Sequence, residues 1–72
     1  MSREENVLNM QITIANCMKQ EWNLDYCTVS ELLEKYDLLQ YIDICYEAYN
    51  SMGMKGILQD LKSYIHEIEK AG

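Results

Sequence analysis

Apolar residues recur at steps of three and four along nearly the whole chain, and that spacing commits it to helices. An α-helix turns about 100° per residue, so only such steps keep one face dry. Val29, Leu32, Leu33 and Tyr36 form one stripe; Leu38, Ile42, Cys45, Tyr49 and Met52 form a second; Ile57, Leu61, Ile65 and Ile68 form a third. Upstream, Val7, Met10, Ile14, Ala15, Met18 and Trp22 make a broader stripe with Leu8 and Cys17 on its shoulders. Gln11 projects into its middle, which places that part of the stripe near water at the open end of a bundle.

Local signals mark where the helices start and stop. Ser2-Arg3-Glu4-Glu5 is a capping-box sequence, so a first helix is expected from about residue 3 to Glu21 or Trp22. Asn23-Leu24 makes a tight connection, and Asp25 is the best N-cap for a second helix, with Thr28-Val29-Ser30-Glu31 as a competing start. That helix ends near Tyr36, and Asp37 is expected to cap a third, with Gln40 at the matching position. Gly53 follows the last apolar residue, Met52, where a left-handed C′ residue belongs. Met54-Lys55-Gly56 then completes a turn before a fourth helix, roughly Ile57 to Glu69. The expected fold is all-α: a compact bundle of four helices, one long, one short and two medium, in a single domain over residues 1–72. The expected core contains Ile14, Met18, Leu32, Leu33, Ile42, Leu61 and Ile65.

Charge narrows the partners. The net charge is −6, and the six basic residues are dispersed along the chain. Binding a phosphate backbone needs clustered Lys and Arg, so nucleic acid is not the expected partner and a basic protein is. No stretch reads as a signal peptide, and the longest uninterrupted apolar run is Ile44-Cys45-Tyr46, so no membrane segment is expected. Cys17, Cys27 and Cys45 fit neither a zinc site nor a disulfide framework, which suggests reduced thiols in a cytoplasm.

Chemistry is hard to find. The only histidine, His66, falls opposite the Ile57/Leu61/Ile65/Ile68 stripe, and Lys70 stands where a metalloprotease helix needs its second His. Cys17 and Cys45 lie on or beside apolar stripes and act there as small hydrophobes. Cys27 lies off its stripe and is the most accessible thiol, so a thiol-dependent enzyme using Cys27 is the catalytic alternative. No catalytic residue, cofactor or metal site is expected. Recognition is a better use of this surface. Ile44 lies more than a third of a turn from the core stripe of its helix, with Tyr41 three residues before it and Ala48 four after, and Asp43 and Glu47 flank the strip. An apolar strip edged by carboxylates suits a basic protein partner or a second copy of the chain.

Residues 25–68 also resemble a bacterial domain-of-unknown-function family of short, acidic, helical proteins. The matching pattern is Val29-x-Glu31-Leu32-Leu33-Glu34-Lys35-Tyr36, Leu39-x-Tyr41-Ile42, Tyr46-Glu47-x-x-x-x-Met52-Gly53 and Asp60-Leu61-x-x-Tyr64-Ile65, with Cys17 at a position often cysteine in the family. Proteins of that family are often encoded beside an ADP-ribosyltransferase-like protein. The resemblance therefore implies an antitoxin or immunity partner that binds and restrains such a toxin. It carries over no catalytic or ligand-binding residue. This chain departs from the pattern at Asn50-Ser51, where a His-Thr pair is usual, at Ile44, usually polar, and at Asp43, usually apolar. An alternative among binding proteins is a phage or mobile-element inhibitor whose acidic surface blocks a basic nucleic-acid-binding groove.

Overall fold

Ser2 opens the first helix as its sequence suggests: its Oγ accepts from the Glu5 N–H at 3.2 Å. Helix α1 then runs Arg3–Glu21, followed by α2 (Tyr26–Lys35), α3 (Leu38–Ile44), α4 (Tyr46–Asn50) and α5 (Met54–Ala71). The computed structural model describes residues 2–71, so Met1 and Gly72, the ends of the expected domain, lie outside the described residues. The all-α bundle is as expected. Asp25 is the N-cap of α2, its Oδ1 accepting from the Thr28 N–H at 2.8 Å, so the earlier of the two starts is the one used.

The long helix α1 packs against α2, α3 and α5, and α3 also meets α2 and α4. Between them Ile14, Met18, Leu38, Ile42 and Leu61 are fully buried, joined by Tyr36, Tyr49, Ile57 and Leu58 in one cluster. Leu32, Leu33 and Ile65, expected at the centre, are only partly buried against it. Leu58, outside the expected stripe, is buried. The inward face of α5 is thus rotated toward Leu58 near its start. Gln11 is partly exposed, and its Nε2 donates to the Leu39 carbonyl at 2.8 Å, tying α1 to the first turn of α3.

Three punctuation marks fall elsewhere than the sequence suggests. The expected third helix is divided at Cys45, whose φ of −91° and ψ of 9° leave the helical region while Cys45 N–H still reaches the Tyr41 carbonyl at 3.0 Å. Helix α5 begins at Met54, so Met54-Lys55-Gly56 is its first turn and not a connection. Gly53 has no positive φ, which corrects its assignment as a left-handed C′ residue. Its carbonyl accepts the first bond of α5, from Ile57 N–H at 3.1 Å, and a Cβ there would meet nothing within 4 Å. Alanine at Gly53 is therefore not strained.

The left-handed positions are Asn23 (φ 53°) and Asp37 (φ 52°). Asn23 sits in a Schellman closure of α1, with Leu24 N–H donating to the Lys19 carbonyl at 3.0 Å. Asp37 turns the chain from α2 into α3 and makes no side-chain cap bond, which corrects its expected capping role. Asp and Asn are the non-glycine residues that tolerate this region best, yet the Cβ still costs energy there. Asp37→Gly should therefore stabilise the fold by about 0.5–1 kcal/mol, less the small loss of a carboxylate near a helix start. A higher urea midpoint checks this; a lower one would restore the capping role of the carboxylate.

Candidate functional site

Ile44 is the last residue of α3 and is 69% exposed, the most exposed of the large apolar side chains among the described residues. Helical phase explains this. Leu38 and Ile42 point α3 into the core, and Ile44 falls on its far side. Ala48 is exposed on α4, beyond the break at Cys45, so the two apolar residues of the expected strip sit on consecutive short helices.

The flanking carboxylates are held by a residue the sequence did not single out. Arg3, in the first turn of α1, donates from Nη1 to Asp43 Oδ1 at 2.8 Å, from Nη2 to the Asp43 carbonyl at 3.0 Å and from Nε to Glu47 Oε1 at 3.3 Å. Its guanidinium also lies 5.3 Å from the centre of the Tyr46 ring. One planar fork thus joins the start of α1 to the end of α3 and the first turn of α4. These groups are water-exposed, so the ion pairs orient the junction more than they stabilise it. A bond from its own backbone N–H, followed by Arg3, holds the Glu47 carboxyl below the usual range. Arg3 also neutralises one of the two charges on this edge, leaving a local balance of one negative charge.

Tyr41 departs from the expectation of a free docking residue. It is half-buried and packs against the core. Its ring stacks on Tyr64 at 3.8 Å between centroids and 15° between planes, with Tyr49 edge-on at 6.4 Å. Both Tyr41 and Tyr49 donate their hydroxyls to the same oxygen, Asp60 Oδ2, at 3.0 and 2.6 Å. Burial first, then the Asp60 carboxylate, pushes both phenols above the ordinary tyrosine range. Asp60 therefore joins two tyrosines, with Tyr64 stacked on one of them. Asp60 lies one turn after Ile57 and one turn before Tyr64, a register that puts it on the inner edge of α5, and this signal was available in the sequence. Arg3 had no comparable signal, because its partners are 40 and 44 residues away.

One thiol, Cys45, lies at this junction, between α3 and α4. Cys27 is exposed in the first turn of α2, Cys17 and Cys45 are partly buried, and His66 is exposed on α5. Among the described residues no group of three His, Cys, Asp or Glu side chains could hold a metal ion. A surface groove of about 630 Å³ lies between the end of α1 and α5, with Trp22, Leu58 and Lys62 in its lining.

A family described as protein of unknown function (DUF3791) matches residues 9–67, and the chain belongs to that family. Comparison with curated proteins and with solved structures finds no match.

Proposed function

We propose that this chain is a small, non-catalytic, cytoplasmic protein-binding module that docks a partner through Ile44 and Ala48, with Asp43 and Glu47 at the rim. The observation that carries this reading is Ile44 itself. A large aliphatic side chain stands in water at a helix junction where Arg3 holds both neighbouring carboxylates in place. A docking centre on a pre-ordered frame binds with less entropic loss than one on a mobile loop. Tyr41, partly buried, supports this junction through its stack on Tyr64.

The partner we assign is an ADP-ribosyltransferase-like toxin from a bacterial toxin–antitoxin or toxin–immunity pair. The resemblance of residues 25–68 supports that choice, and the net charge of −6 supports a basic docking face on the enzyme. Restraint then needs no chemistry from this chain. A bound module that covers the enzyme's substrate entrance is sufficient. Titration calorimetry of the purified chain into an ADP-ribosyltransferase-like protein from the same genome tests the assignment. A saturable one-to-one complex that lowers ADP-ribose transfer is expected, and the absence of binding would overturn it.

A further inference from the structure

Six large apolar side chains among the described residues are exposed; two of them lie on α1, and two more belong to segments that α1 side chains contact. Leu8 and Ile12 lie on α1 itself, at the spacing of one helical turn. Beside Ile12, Gln11 holds the backbone carbonyl of Leu39, an exposed residue of α3. Near the end of α1, Lys19 Nζ lies 5.0 Å from the centre of the Tyr26 ring. All four are between 43% and 62% exposed.

The charges along the Leu8/Ile12 face of α1 are ordered. Glu4 and Glu5 stand at its start, Leu8, Ile12 and Ala15 in its middle and Lys19 at its end, all on steps of three or four residues. We infer that this face of α1 is a homodimer interface, in which two copies pair α1 against α1 in antiparallel, two-fold fashion. Centred near Gln11 and Ile12, that arrangement sets Leu8 of one copy against Ala15 of the other. It also brings Glu4 and Glu5 opposite Lys19 of the second copy at both ends. A two-fold interface must be self-complementary, and a stripe that runs from acidic through apolar to basic meets that condition only when antiparallel. Parallel pairing would set acid on acid. A uniformly basic partner would leave Lys19 opposed. The paired helices are about 28 Å long at 1.5 Å per residue, and the apolar centre is small, so the dimer is weak, with a dissociation constant on the order of 10–100 µM. This inference is independent of the Ile44 face.

Sedimentation equilibrium from about 5 to about 500 µM tests it. The apparent mass should rise from the 8.5 kDa of one chain toward twice that value. Ile12→Glu should raise the dissociation constant at least ~10-fold, since two like charges then meet near the axis, whereas Ile44→Glu should leave it unchanged. Ile12 is half exposed, so circular dichroism should show the helices intact. Charge variants give a second route that leaves Ile12 alone. Lys19→Glu and the pair Glu4→Lys/Glu5→Lys should each self-associate more weakly than the unmodified chain. An equimolar mixture of the two should associate more tightly than either. A chain that stays monomeric throughout the range, a dimer indifferent to Ile12→Glu, or a mixture no tighter than its components would overturn the inference.

Discussion

Replacing Leu61 by alanine should remove a large share of the stability of the fold. Leu61 is fully buried at the meeting of α5 with the core, among Ile14, Met18, Leu38 and Ile42. Truncation removes buried methyl groups and leaves a cavity that helices fixed on both sides cannot close, a loss of about 2–5 kcal/mol. A chain of 72 residues has a total stability of only about 4–10 kcal/mol, because a domain this small buries a modest share of its surface. The same substitution at Ile65, which is only partly buried, should cost less. Urea midpoints of the two variants check the order. A loss below about 0.5 kcal/mol for Leu61→Ala would mean that α5 does not seat in the core at this residue.

Asp60→Ala should be the most damaging change to a charged residue. It removes the acceptor shared by Tyr41 and Tyr49 and strands the hydroxyl of Tyr49, a residue only 2% exposed. An unpaired buried hydroxyl costs about 1–3 kcal/mol. Asp60→Asn keeps an oxygen in place and should retain most of that stability, which separates hydrogen bonding from charge. The same cluster sets the alkaline limit. Both phenols are raised above their ordinary value by burial and by Asp60, so the folded state favours their neutral form. That contribution is complete below about pH 10, the unfolded tyrosine value, and is lost as the pH rises above it. Tyr49→Phe should flatten the alkaline loss of stability. Equal stability and equal alkaline behaviour in Asp60→Ala and the unmodified chain would remove the cluster from the stability of the fold.

The features that were legible in the sequence are those written within one or two turns. The Ser2 and Asp25 caps, the extent of α1 and the burial of Ile14, Met18, Ile42 and Leu61 all follow from local chemistry and period. The break at Cys45 had no such signal, because neither proline nor glycine marks it and the apolar spacing continues through Tyr49. Gly53 attracted the left-handed assignment because glycine takes it most cheaply, whereas Asn23 and Asp37 are the residues that adopt it. Gly56 read as part of a turn, yet it occupies the first turn of α5, where a glycine weakens a helix without ending it. At the candidate site, the exposure of Ile44 and Ala48 followed from helical phase. The capture of Asp43 and Glu47 by Arg3 joins segments far apart in sequence and depends on how α1 crosses α3.

The docking role of Ile44 is most directly tested by the affinity of Ile44→Glu for the ADP-ribosyltransferase-like protein, measured beside the unmodified chain. Ile44 is 69% exposed, so the substitution should move the unfolding midpoint by no more than about 0.5 kcal/mol. Binding should weaken about 30-fold or more, since a carboxylate at the dried centre of an interface is left unpaired. A variant that folds and binds with unchanged affinity would contradict the assignment of Ile44 as the docking centre.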